Sequence, residues 1–209
     1  MTRYGGAVWK VLVALVLLVA FFWLGFYVTK YGEPHALNAF ALQLRGQGTA
    51  IAWRFTEMGW GYVLGPLYIA LIALAIFRRE WRGPALFAVA IALICWGAAT
   101  EFQHFFARPR RLDWLIRHET AGSYPSSHAA ISTGFYFLCG VLAVRSNLAA
   151  WLRYTLFTLL TFVTLAIIWS RIELAAHNIT DVIGGVMLAL AIILLGAAVV
   201  EFARRPVAS

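Results

Sequence analysis

The chain has 209 residues, 62% of them hydrophobic and only 12% charged, with a mean hydropathy of +0.79. That is too apolar for a fold whose surface faces water. Apolar stretches near the roughly 20 residues needed to cross a bilayer recur along it, which points to an integral membrane protein. The net charge of +8 does not indicate a nucleic-acid partner, because the basic residues flank apolar segments instead of lining one polar face.

In chain order the sequence predicts an all-α, polytopic membrane protein of six transmembrane helices, forming one domain over residues 1–209. The first helix covers about residues 7–29, with Arg3 and Lys10 at its start. Its basic start resembles a signal peptide, but the apolar core is too long and no small-residue cleavage site closes it, so an uncleaved anchor is expected. The connection that follows carries Leu37, Phe40, Ala41 and Leu44 at i, i+3, i+4 and i+7. This single apolar stripe predicts a short helix in the first outer loop, lying in the interface or roofing a cavity.

Further spans are predicted over about residues 56–77, 83–106, 127–144, 150–170 and 179–202. Cys95 and Cys139, the two cysteines, fall inside apolar runs with no metal-ligand spacing, and read as small buried side chains.

Six spans place both termini on one side with the loops after the second and fourth helices. That side carries Arg3, Lys10, Arg78, Arg79, Arg82, Arg145, Arg153, Arg204 and Arg205. The opposite side has nearly as many cations, but they include the arginines of three polar segments that need a separate explanation. The first set sits in short loops, where the positive-inside bias acts. Cytoplasmic termini and polar segments on the outer face of a bacterial-type inner membrane follow.

The three polar segments are Ala107-Arg108-Pro109-Arg110-Arg111, Tyr124-Pro125-Ser126-Ser127-His128 and the run from Ser170 to Asp181. Ionisable groups beside apolar spans are expensive unless they serve a function. All three lie at the same end of a six-span bundle. Arg108 and Arg171 present planar, permanently charged forks matched to phosphate oxygens. Ser126, Ser127 and His128 open a helix, where free N–H groups and the positive dipole end favour an anion. His177 and Asp181 are four residues apart, so on a helix the carboxylate can hold one imidazole nitrogen and leave the other to attack phosphorus. His128 is then available as the acid for the leaving oxygen.

Arg110, Arg111 and Arg117 read as a solvated basic loop in contact with lipid head groups. Glu173 reads as solvent-facing or paired with an arginine. The sequon Asn178-Ile179-Thr180 sits against the membrane inside the catalytic spacing and reads as a chance match.

These residues resemble the type 2 phosphatidic acid phosphatases, relatives of the vanadium haloperoxidases. That family carries Lys-x6-Arg-Pro, Pro-Ser-Gly-His and Ser-Arg-x5-His-x3-Asp. The third signature is complete in Ser170, Arg171, His177 and Asp181. The second appears as Pro125-Ser126-Ser127-His128, and the first keeps Arg108-Pro109 with Glu101 in the lysine position. The resemblance implies that His177 is the nucleophile, His128 the general acid and Asp181 the orienting carboxylate. Arg108, Ser126 and Arg171 would bind phosphate, with the Ser127 N–H still available.

No metal or other cofactor is called for. The partners implied are the bilayer and a lipid phosphate substrate such as undecaprenyl diphosphate, phosphatidic acid, phosphatidylglycerol phosphate or a lipid A phosphate. Glu101 removes a cation from the expected clamp and makes it a specificity candidate, unless Arg110, Arg111 or another cation compensates. Two other readings are a phosphotransferase passing the phosphoryl group to an acceptor lipid, and a non-catalytic lipid-phosphate binding protein.

Overall fold

A computed structural model describes residues 5–110 and 121–203, and every regular element among them is helical. Arg111 and Arg117 lie outside the described residues. The elements are α1 (Gly5–Tyr31), α2 (His35–Leu44), α3 (Thr49–Glu57), α4 (Gly61–Phe77), α5 (Arg82–Phe106), α6 (Ser127–Ser132), α7 (Leu138–Val144), α8 (Ala150–Glu173) and α9 (Ile179–Ala203). A π-helical segment, Thr133–Phe137, joins α6 to α7 within one span.

Five helical segments are long and apolar enough to cross a membrane. A sixth span exists if α3 and α4, bent by 43° at their junction, count as one. The expected second helix is therefore two, with α3 beginning seven residues before the predicted start at Thr56. The stripe around Leu37 does form a helix, α2, which buries only Ala41.

Helix α1 buries Ala7, Ala14, Phe21 and Val28 at seven-residue intervals, together with Gly25. Such a period keeps one seam facing a single neighbour. That neighbour is α9, which runs antiparallel. Lys10 pairs with Glu201 at one end, and Glu33, just beyond α1, bonds Thr180 at the other. On the opposite side of α1, Val16, Val19 and Trp23 are each about two-thirds exposed. A continuous apolar outer face suits hydrocarbon and not water. The chain is thus an integral membrane protein.

The core beneath the polar segments is aromatic. Tyr124 stacks on Phe21 with centroids 5.3 Å apart and meets Phe106 edge-on at 5.0 Å. Its hydroxyl donates to the Phe21 carbonyl at 2.7 Å, which satisfies this buried O–H. Gly184 makes the slot for this ring, since a Cβ there would lie 2.4 Å from Tyr124 Cε2.

Candidate active site

Three junctions converge at one end of the bundle: the end of α5, the loop entering α6, and the α8–α9 turn. Backbone bonds join them, from Ser123 N to the Arg108 carbonyl and from Ser126 N to the Asp181 carbonyl, both at 2.9 Å. Gln103 on α5 donates to the Pro125 carbonyl at 2.8 Å. Two alanines at these junctions, Ala107 (φ 46°) and Ala175 (φ 53°), adopt the left-handed conformation. A side chain there costs on the order of 1 kcal/mol. The resulting sharp turns bring Arg108 and His177 inward.

His177 lies just before α9, not on it. The turn is closed by bonds from Ala176 N and His177 N to the Arg171 carbonyl, and the ring is 2% exposed. Nδ1 is 2.9 Å from the Ser123 carbonyl and 3.7 Å from Asp181 Oδ2. A carbonyl can only accept, so Nδ1 carries the proton and Nε2 keeps its lone pair. The expected carboxylate–imidazole bond is therefore replaced: a carbonyl sets the tautomer, and Asp181 supplies charge from slightly further away. Asp181 itself stands at the third position of α9 and accepts from the Asn178 N–H at 2.8 Å, half of a capping box.

Nε2 faces Arg110, whose Nη1 is 3.4 Å away. The expectation of a solvated loop is corrected for this residue. Arg110 donates Nε–H to the Ala121 carbonyl at 2.8 Å and Nη1–H to the Ala176 carbonyl at 3.2 Å. Burial above all, then the guanidiniums of Arg110 and Arg171, hold the imidazole of His177 well below the ordinary histidine range, partly opposed by the Ser123 carbonyl. That direction favours the neutral imidazole.

Arg108 is buried between two carboxylates. Nη1 donates to Asp181 Oδ1 at 2.5 Å and to Thr180 Oγ1 at 2.9 Å, and Nη2 to Glu33 Oε2 at 3.2 Å. Glu33 also accepts from Thr180 N, which fastens the end of α1 to the start of α9. Arg171 is fully buried, with Nη1 2.7 Å from Thr56 Oγ1 at the end of α3.

His128 opens α6 behind the N-cap Ser126, whose hydroxyl accepts from Ala129 N at 3.4 Å. Ser127 is the first residue of that helix. The His128 ring lies close enough to Arg171, His177 and Arg110 for each to act on its charge. Its buried Nε2 has no hydrogen-bond partner among the described residues. Trp60 meets it edge-on at 5.2 Å, and Gly59 passes so close that a Cβ there would lie 2.4 Å from its Cδ2.

One further expectation changes. Glu173 is fully buried and accepts from Gly48 N at 2.7 Å, capping α3 instead of facing solvent. Glu101 is exposed on α5, and no hydrogen bond or ion pair among the described residues joins it to the site. Asn178 is buried, which agrees with a chance sequon. Glu33, Ser123 and Thr56 were not legible as site residues, and Arg110 was legible only as a cation able to compensate for Glu101. For Arg110 the one available signal was its place two residues after Arg108.

A cavity of about 390 Å³ opens beside Arg108, Asn178 and Glu33. The larger cavity, about 760 Å³, lies at the opposite end around Lys10, Arg78 and Arg145 and contains none of the motif residues. Chemistry, not volume, locates the site. Among the described residues no cluster of three His, Cys, Asp or Glu side chains could hold a metal ion.

Fold and site together define a polytopic helical membrane protein that gathers two histidines and three arginines at one end of its bundle. The chain belongs to the PAP2 superfamily, whose family model matches residues 83–205. It is similar in structure to a transmembrane PAP2-type phosphatidylglycerolphosphate phosphatase from Bacillus subtilis, with a TM-score of 0.75 and 18% identity over 92% of this chain and 98% of that one. No curated protein matches the chain.

Proposed function

We propose that the protein hydrolyses membrane lipid phosphates or diphosphates through a phosphohistidine on His177. One observation carries this reading: the fold uses Nδ1 of His177 for the Ser123 carbonyl, and turns Nε2 toward a guanidinium. The Nε2 lone pair attacks phosphorus and the bond from phosphorus to the lipid oxygen breaks. His128, protonated as the phosphate dianion binds beside it, gives that oxygen its proton. Positive charge developing on the His177 ring is offset by Asp181 and the Ser123 carbonyl. Water then attacks phosphorus, the P–N bond breaks, His128 takes the water proton, and phosphate leaves. A diphosphate substrate yields the lipid monophosphate instead of the alcohol. Ser126, Ser127 and Arg171 complete the phosphate site in this scheme.

The substrate class includes phosphatidylglycerol phosphate, phosphatidic acid and undecaprenyl diphosphate. The bent α3–α4 pair acts as one span, giving six, with cytoplasmic termini, the site on the outer face of the inner membrane, and α2 in the interface. Trp23, Tyr27 and Tyr31, which follow one another along the site end of α1, support an interfacial level there. No observation favours transfer to an acceptor lipid or binding without turnover, and Glu101 has no hydrogen bond or ion pair to the site among the described residues.

Purified protein in detergent is expected to release inorganic phosphate from a panel of these lipids without added metal, with inhibition by orthovanadate. His177→Ala should lower release roughly a thousandfold or more. Equal release by wild type and variant would overturn the reading.

A further inference from the structure

The cavity of about 760 Å³ takes no part in the chemistry at the other end of the bundle. Its size is that of a small-molecule site, roughly 300–1,000 Å³. The start of α1, the α4–α5 turn, the first turns of α5, the α7–α8 turn and the end of α9 all contribute to its wall. Phe87, Leu142 and Val200, each partly buried, give that wall an apolar part. Phe87 packs on Gly196 of α9, where a Cβ would lie 3.0 Å from Phe87 Cε2. The apolar part is thus built on two packed helices and not on a loop.

The charged lining is unevenly paired. Lys10 is bonded to Glu201. Arg78 stands 3.7 Å from Glu80, but both side chains are more than three-fifths exposed (67% and 62%), and such a pair holds weakly. No hydrogen bond or ion pair among the described residues engages the Arg145 side chain. Arg79 and Arg82, next in chain to the lining residues, add to the positive field at the mouth. Arginines at the ends of apolar spans also mark the level of the head groups.

We propose that this cavity binds an anionic phospholipid of the adjacent leaflet, its phosphodiester on Arg145 and Arg78 and an acyl chain along Phe87, Leu142 and Val200. Guanidinium forks match phosphate oxygens. A soluble phosphate could use the same two arginines, but it would leave the apolar wall facing water, whereas the lipid covers it. The net positive mouth favours an anionic head group over a zwitterionic one. The site is independent of the proposed chemistry at His177, because a phosphodiester lipid has no terminal phosphate to release.

The test uses the full chain in phosphatidylcholine nanodiscs doped with phosphatidylglycerol that carries a photoactivatable acyl chain, followed by peptide mapping of the label. Label is expected on the segments containing Phe87 and Val200. Arg78→Gln with Arg145→Gln should lower it roughly tenfold or more, at about fivefold for each arginine. Arg145→Gln alone should show the single step, and a phosphatidylcholine probe should label only at the level of the double variant. Arg79→Gln, an exposed charge outside the lining, should stay within about twofold of wild type. Excess inorganic phosphate should also leave the label within about twofold, since it cannot replace the acyl contacts. Equal labelling by the two probes, no loss in the arginine variants, an equal loss in Arg79→Gln, or displacement by inorganic phosphate would overturn the proposal.

Discussion

Arg108, Asp181 and Glu33 form a buried chain of opposite charges, with Thr180 hydrogen-bonded to two of them. Removing Glu33 leaves the Arg108–Asp181 pair balanced but takes the acceptor from Arg108 Nη2 and from the Thr180 N–H, and a buried donor left unsatisfied typically costs about 1–3 kcal/mol. Glu33→Ala is therefore expected to lower the thermal unfolding midpoint in detergent clearly. Glu101→Lys, on an exposed position, should change turnover by less than about threefold, because an exposed charge is screened. A large activity change in the Glu101 variant with none in stability for Glu33→Ala would reverse these assignments. Residue chemistry was unevenly legible. His128, Arg171, His177 and Asp181 announce themselves by fixed spacing within short segments. Glu33 does not, because its bond to Thr180 spans 147 positions of chain. The Nδ1 partner of His177 also escaped notice, since a backbone carbonyl leaves no mark in a side-chain pattern.

The break between α3 and α4 is the element on which His128 depends. Gly59 and Trp60 lie against that ring, and the Tyr136 hydroxyl, from the π-helical segment, donates to the Met58 carbonyl at 2.8 Å. A methyl group at position 59 cannot fit without moving the imidazole. Gly59→Ala should lower kcat by about a hundredfold, the usual effect of displacing a catalytic group by about 1 Å, while leaving expression and membrane insertion intact. Unchanged kcat would show that the ring is not held from above. The local mark of this break is weak: Gly59 and Gly61 lower helix propensity inside an otherwise apolar run. Pro66, the conventional helix breaker, lies inside α4 and the helix continues through it. The Tyr136 hydroxyl bond to the Met58 carbonyl sits at the bend, a long-range contact that hydropathy and periodicity do not register. The other spans were readable nearly to their ends, because apolar length alone determines them.

Across the whole molecule, the antiparallel α1–α9 pair is fastened at one end by Lys10 and Glu201 and at the other by Glu33 and Thr180. Its middle is a small-residue and aromatic seam, and its outer surface is apolar. This frame fixes three distant segments at a single level, where His177 is shielded from water yet faces two guanidiniums. The account rests on covalent chemistry at that one ring. Rapid acid-free quenching after mixing with a radiolabelled lipid phosphate tests it most directly. Wild-type protein is predicted to carry alkali-stable, acid-labile label, the signature of phosphohistidine, and His177→Asn to carry none. Turnover with no trapped label in wild type, or equal label in the His177 variant, would contradict it.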